Sequence, residues 1–385
     1  MDRKINMGMI GGGIGSFIGG IHRMAANLDG HINLVCGAFS SDADKCVATG
    51  QQLYLPKENC YANYEQMIIE EKAKPASTRM DFVSIVTPNH LHFAPAKMAM
   101  EQGFHVLLDK PMTMTLAEAK ELKDIAKSTG KRLCLTHTYT GYPMIKEAKF
   151  QIANASIGSI RKVFVKYPQG WLSSKIEDID HKQAVWRTDP KRSGIAGCMG
   201  DIGTHAFNLI EYVTGLTVSA LCATVNTVVE GRRLDDDGSV LLQFNNGATG
   251  VLTATQVATG EENNLTIQVY GELGGLEWQH QDANSLLLKW SDRPMQVYRA
   301  GSDYLSDMAK HNCRTPAGHP EGFIEAFANI YRNFAMTLLA ETAGVIPNDK
   351  ILDFPGVEDG VRGMAFIENV IAAGSSKDKW LNFVV

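Results

Sequence analysis

Ile5-Asn6-Met7-Gly8-Met9-Ile10-Gly11-Gly12-Gly13-Ile14-Gly15-Ser16 reads as a strand running into a glycine-rich turn. The apolar run Ile5–Ile10 suits a buried strand, and a helical pattern through Met24-Ala25-Ala26 follows the turn. Strand, glycine turn and helix in this order form the setting in which a pyrophosphate can approach the amides at a helix N-terminus. Gly11, Gly13, Ile14 and Gly15 are the candidate contacts. Ser16 stands where the dinucleotide pattern has Gly or Ala, and Gly15 and Gly19 offer a shifted register.

Outward from this turn, strand and helix patterns alternate to about residue 136. Ile32–Phe39, Asp81–Val86, His105–Leu108 and Arg132–Leu135 read as strands. Thr115-Leu116-Ala117-Glu118 is a capping box, opening a helix with an apolar face of Ala119, Leu122, Ile125 and Ala126 that Gly130 ends. Alternating βα units imply a doubly wound parallel sheet. From about Ile160 the pattern becomes strands with hairpin-length turns (Val163–Tyr167, Val218–Val228, Ser239–Phe244, Thr249–Ala254, Leu265–Val269, Ser285–Lys289), pointing to an antiparallel sheet. Helical stretches follow at Glu321–Leu339 and Glu358–Ala373. Two domains are expected, 1–136 for a nucleotide and 137–385 as an α+β substrate domain. Asp235-Asp236-Asp237-Gly238 reads as a solvated turn.

A chain of 385 residues, 44% hydrophobic and 21% charged, suits a soluble two-domain protein. A net charge of −5 argues against nucleic acid or an anionic membrane as the main partner. No apolar run approaches the ~18–20 residues of a membrane span, and Met1-Asp2-Arg3-Lys4 leads straight into a strand without a signal core. Seven cysteines at scattered spacing, with no Cys-x-x-Cys, suggest neither a disulfide framework nor a metal site. The expectation is a reduced cytoplasmic protein.

Ligands of open α/β sheets bind at the carboxyl ends of the strands, so the residues there are candidates. After the second strand come Ser40, Ser41 and Asp42, with no arginine for a 2′-phosphate; Asp42 could meet a ribose or cap the next helix. That favours NAD, with NADP not excluded. Thr87, Pro88, Asn89 and His92 follow another strand and are further cofactor candidates. His105-Val106-Leu107-Leu108-Asp109-Lys110-Pro111 ends in a carboxylate, an ammonium and a proline that stops the strand. Asp109 and Lys110 are thereby delivered to the same edge, where the lysine can serve both a cofactor and a substrate hydroxyl.

Farther on, Gly197-Cys198-Met199-Gly200-Asp201-Ile202-Gly203-Thr204-His205 leads into an apolar helix. Asp201 and His205 are four residues apart and share a face if one helix includes both. The helix dipole disfavours an imidazolium there, leaving His205 able to accept a proton.

Together the glycine turn, Thr87-Pro88-Asn89…His92, Asp109-Lys110-Pro111 and Gly200–His205 resemble the glucose–fructose oxidoreductase/inositol dehydrogenase/MocA family. The resemblance implies a Rossmann domain followed by a C-terminal α+β domain with a large, mainly antiparallel open sheet, often used for homodimers or homotetramers. It implies NAD(P)-dependent oxidation of a secondary hydroxyl on a sugar, glycoside or cyclitol, with Lys110, Asp201 and His205 as catalytic residues. Asp109 stands where that family has glutamate. Trp186 and Arg187 resemble a segment near the substrate, and Tyr139, Trp171, His181 and His319 are further polar candidates. In this reading His205 takes the hydroxyl proton, Lys110 steadies the developing alkoxide and Asp201 positions both. Two other readings stand beside it: a non-catalytic sensor on the same fold, or a reductase of a less polar substrate such as a dihydrodiol, an imine or a biliverdin-like tetrapyrrole.

Overall fold

Residues 3–179 and 181–385 are described by the structure, a computed structural model. The chain divides into two units. The first runs to Thr138 and takes in Phe323–Val361; the second holds Tyr139–Gly322 and Arg362–Val385. The sequence boundary at 136/137 therefore needs a correction, because residues 323–361 belong to the first unit rather than to a single 137–385 domain.

In the first unit β1 (Ile5–Gly11), β2 (Ile32–Ala38), β3 (Phe82–Val86), β4 (His105–Leu108) and β5 (Leu133–Leu135) form a parallel sheet in the order β2-β1-β3-β4-β5. The order reverses between β1 and β3, so the switch point lies at the ends of those two strands. Gly11 pairs with Val86 there, which brings the glycine turn beside Thr87. Helices α1 (Phe17–Leu28), α2 (Ala43–Gln52), α3 (Tyr64–Ala73), α4 (Phe93–Glu101) and α5 (Leu116–Thr129) connect the strands. The capping box at Thr115 and Glu118 is formed, and Gly130 closes α5 in a left-handed conformation. The helices α2 and α3 escape the sequence reading, and α3 has no apolar stripe that would mark it.

β3 is buried on both faces, as a parallel strand between helical layers must be. One covering layer comes from far along the chain. The helix Phe323–Thr342 sets Phe327, Ile330, Tyr331, Phe334 and Leu338 into the core formed by Ile5, Met7, Met9, Phe82 and Leu107. Phe334 meets the Phe82 ring edge to face at 5.3 Å. Each such side chain contributes about 1.5–3 kcal/mol on burial, which explains why this helix cannot be separated from the sheet.

The second unit is built on a nine-stranded sheet. Its strands are β6 (Ile160–Pro168), β7 (Val218–Asn226), β8 (Asp237–Phe244), β9 (Thr249–Thr255), β10 (Thr266–Gly271), β11 (Gly274–Gln279), β12 (Ser285–Trp290), β13 (Gln296–Arg299) and β14 (Leu381–Asn382). Their order is β13-β12-β11-β10-β6-β9-β8-β7-β14. All pairings are antiparallel except β6–β9, so the sheet is mixed at its centre. Period-two burial is plain in β8, where Gly238, Val240, Leu242 and Phe244 are buried and Ser239, Leu241 and Gln243 are exposed. Helices Pro143–Ala153 and Thr204–Thr214 belong to this unit. Phe164, Leu241 and Val297 leave a sparse apolar stripe exposed on the sheet.

The acidic run is not a solvated turn. Asp235 and Asp236 are buried, and Asp237 opens β8. Asp236 accepts from the amides of Val228 and Val229 and pairs with the buried Arg232, which also holds Glu177. Partners distant in sequence turn a hydrophilic run into an internal scaffold. No helix among the described residues is long and apolar enough to cross a membrane.

Candidate functional site

Gly11, Gly12 and Gly15 have φ values of +81°, +73° and +78°, which side-chain-bearing residues rarely adopt. A Cβ on Gly13 would come within 2.8 Å of the Phe39 carbonyl oxygen, so the turn is closed to larger residues. Ser16 does not disturb it. Its hydroxyl caps α1 by accepting from Gly19 N. The close strand–helix approach is made instead by Gly19, where a Cβ would lie 2.3 Å from Gly12 Cα. The amide of Gly13 is taken by Phe39 O and that of Ile14 by Thr49 Oγ1. Ile14 is therefore part of the turn's own bracing, a correction to its place among amide contacts. Phe17 and Ile18, in the first turn of α1, are left to present amides without helical carbonyl partners. A narrow, glycine-lined cradle at a helix N-terminus fits the pyrophosphate of a dinucleotide.

At the end of β2, Asp42 caps α2 by accepting from Lys45 N, and it stays exposed. That backbone bond chiefly holds its carboxyl below the ordinary value. Ser40 Oγ accepts from Asp42 N, and Ser41 is exposed. Thr87 and Pro88 follow β3, with Thr87 Oγ1 donating to Leu91 O, while Asn89 is buried. His92 has another role from the one its position suggests. Buried to 1% exposure, it sets Nδ1 2.8 Å from Pro111 O and Nε2 2.9 Å from Thr87 O, fastening two loops together. With both ring nitrogens on backbone carbonyls, it is a brace rather than a cofactor contact.

Asp109 lies just past β4, and its Oδ1 accepts from Lys110 N (2.9 Å) and Thr136 Oγ1 (2.7 Å). Burial works to raise its pKa, but His22, Lys110 and Thr136 outweigh that and hold it below the ordinary carboxylate value. Lys110 is partly buried. His137, past β5, is buried, and its pKa is pushed down to about 3 by desolvation and then by the Lys110 charge. The sequence contains no signal for His137, because only the fold places it in that field.

In the second unit Asp201 lies in a single π turn, Met199–Gly203, in which Thr204 N donates to Met199 O. The α-helix Thr204–Thr214 continues from it, with His205 as its second residue. Asp201 and His205 are thus not on one regular α-helix, a correction to the four-residue spacing argument. Such wide turns are frequent at functional sites. The turn is anchored from below by Asp235, whose carboxylate accepts from Gly197 N (2.6 Å) and Met199 N (2.7 Å).

Asp201 accepts from Arg187 Nη1 (3.2 Å) through Oδ1 and from Gln256 Nε2 (2.9 Å) through Oδ2. Arg187 also lies over the Trp186 ring, 4.4 Å from its centroid. A polar line continues from Gln256 to Gln169 (3.4 Å), and Gln169 both donates to Asn263 (2.7 Å) and accepts from Trp171 (3.0 Å). Asn263 accepts from Tyr167 and donates to Tyr139, whose hydroxyls also hydrogen-bond to each other. The Tyr139 ring meets the His205 ring edge to face at 5.1 Å. His280 extends the line to Tyr142. Trp186, Arg187, Asp201, His205, Tyr139 and Trp171 are thus gathered in one unit. His181 caps a short helix through Nδ1 and its ring lies beside that of Trp171, centroids 6.0 Å apart, while His319 sits exposed in a turn. Gln169, Gln256, Asn263 and His280 were not foreseen, since isolated polar residues on strands and loops carry no motif.

Residues 5–137 match a family model described as an oxidoreductase family with an NAD-binding Rossmann fold, and residues 145–277 match the GFO/IDH/MocA C-terminal domain. The uncharacterized oxidoreductase YfiI of Bacillus subtilis (strain 168) is 30% identical over 100% of this chain and 98% of its own length. An inositol dehydrogenase homolog from Azotobacter vinelandii, solved with NAD+, is 32% identical at a TM-score of 0.95, covering 100% of this chain and 98% of that one. The same description, solved with NADH and myo-inositol, aligns at 0.92 with the same identity and coverage. An oxidoreductase from Sinorhizobium meliloti is 39% identical at a TM-score of 0.88, covering 99% and 100% of the two chains. A glycine cradle at the switch point, an Asp-Lys pair at the carboxyl edge of the sheet and agreement along the whole length place this chain in the GFO/IDH/MocA family of NAD-binding oxidoreductases.

Proposed function

We propose that the protein oxidises a secondary hydroxyl of a polyhydroxylated ring, an inositol-like cyclitol or a sugar, to the ketone with NAD. The supporting observation is the polar line Arg187–Asp201–Gln256–Gln169–Asn263–Tyr139 beside His205, a dense set of donors and acceptors suited to ring hydroxyls rather than to an apolar substrate. The Azotobacter homolog solved with NADH and myo-inositol supports the same substrate class.

The glycine turn and the first turn of α1 would hold the pyrophosphate, with Ser40, Ser41 and Asp42 nearest the adenosine ribose. Bound NAD supplies the hydride acceptor. Lys110 hydrogen-bonds the substrate hydroxyl and steadies negative charge as it develops on that oxygen. His205 accepts the hydroxyl proton, and Asp201, fixed by Arg187 and Gln256, positions the ring. The protein works in the cytoplasm, and self-association through the exposed stripe of the nine-stranded sheet is part of the same reading.

A screen of inositols, aldoses and glycosides with NAD and NADP, followed by nicotinamide absorbance, tests it. At least one polyol should reduce NAD, and His205→Ala and Lys110→Ala should each lower kcat by ~10²-fold or more. Tight NAD binding without turnover on any polyol would favour a sensor instead, and near-normal turnover in either variant would remove that residue from the chemistry.

A further inference from the structure

A buried polar line in the first unit joins four elements. Ser84 Oγ, on β3, lies 2.7 Å from Tyr331 Oη on the helix Phe323–Thr342. Tyr331 Oη lies 2.7 Å from His22 Nδ1 on α1. His22 Nε2 lies 4.0 Å from Asp109 Oδ2, beyond the end of β4. Ser84, His22 and Tyr331 are all 0% exposed. His22 Nε2 is buried without a hydrogen-bond partner, while Asp109 directs Oδ1 to Lys110 N and Thr136. An orphaned ring nitrogen aimed at a carboxylate calls for a physical reason.

Proton accounting supplies one. A proton on Nδ1 would leave the Nε2 lone pair facing the carboxylate, two electron-rich groups opposed beside a fully buried ring. A proton on Nε2 turns the N–H toward Asp109. Nδ1 then accepts from the Tyr331 hydroxyl, whose oxygen accepts from Ser84. Burial, the largest influence on this ring, holds its pKa down at about 4, so it is neutral near pH 7 and acts as an oriented dipole.

We propose that His22, fixed in the Nε2–H tautomer by Tyr331 and Ser84, is a positioning residue that keeps Asp109 ionised and its Oδ1 turned to the Lys110 backbone. Its bearing on catalysis rests on the reading of Lys110 given above; its tautomer does not. No element of this line is itself placed on substrate, and its effect passes through Asp109 to the Lys110 peptide.

Histidine-selective ¹⁵N NMR reads the tautomer without turnover. The wild-type ring should carry its proton on Nε2, and Tyr331→Phe should give a mixture. A proton on Nδ1 in the wild type would overturn the proposal. Two substitutions then separate position from bulk. His22→Gln keeps an amide N–H near the Nε2 position, and His22→Asn keeps one near Nδ1. By ¹³C NMR, the carboxyl pKa of Asp109 should rise by about half to one unit in His22→Asn and stay near wild type in His22→Gln. Equal carboxyl pKa values in the two variants would overturn the proposal. An Nε2-protonated ring in a protein that turns over no polyol would support the positioning role and overturn the reaction assigned to Lys110.

Discussion

Asp235 uses both carboxylate oxygens on backbone amides, those of Gly197 and Met199, at the entrance to the π turn that carries Asp201. Burial pushes its carboxyl above the ordinary value, yet the two amides repay its ionised form with hydrogen bonds. Asp235→Asn replaces one acceptor with a donor opposite an amide N–H. It should cost about 1–3 kcal/mol in urea unfolding, and it should lower kcat more than it raises KM, because Asp201 loses its setting while other substrate contacts persist. Unchanged kcat with lost stability would make Asp235 a scaffold only. At this scale the sequence offers Lys110, Asp201 and His205 as candidates, because each sits in a motif with a chemical reason. It misread Asp235 and Asp236, since polarity alone cannot announce that a distant Arg232 or a pair of amides will meet a carboxylate inside the fold.

Among the elements, the turn from β1 into α1 illustrates how a pattern can be right in kind and wrong in register. The strand, the glycines and the helix were all legible from Ile5 to Ala26. What the pattern assigned to position 16 is done at position 19, because Ser16 caps the helix and Gly19 packs on Gly12. Gly19→Ala puts a methyl group 2.3 Å from Gly12 Cα, so α1 must move off the turn. The expected result is a loss of about 1–3 kcal/mol, together with weaker NADH binding by fluorescence titration. A variant with wild-type stability and affinity would show that the turn relaxes freely. The π turn was not legible at all: Gly197–Thr204 contains no local signal for an i to i+5 bond, which arises where Asp235 pins the segment.

At the scale of the whole molecule, three histidines whose rings are largely desolvated set a common acid limit. His22, His105 and His137 have pKa values pushed from 6.5 down to about 4, 4 and 3, in each case chiefly by burial. His105 Nδ1 also accepts from Arg132 N, a bond that needs the neutral ring. Unfolded, each ring binds a proton near pH 6.5, whereas folded it does not until about pH 4 or below. The unfolded state therefore binds more protons in that window, and stability present above pH 6.5 is lost as pH falls toward 4. Thermal unfolding should show Tm level between pH 7 and 8 and falling steadily from about 6.5 to 4. A Tm unchanged over that window would contradict the assignment of these rings as neutral. All three belong to the first unit, two on strands or helices read correctly from the sequence and one, His137, just past β5. The sequence alone determined the parallel sheet, the glycine cradle, the Asp-Lys edge and the change to antiparallel strands, because periodicity and turn residues are local properties. Only the tertiary structure decided that the helix Phe323–Thr342 completes the first core, that His22 faces Asp109 and that Gln256 holds Asp201. Those depend on which surfaces meet when distant segments bury their apolar faces together, and no local pattern encodes that meeting.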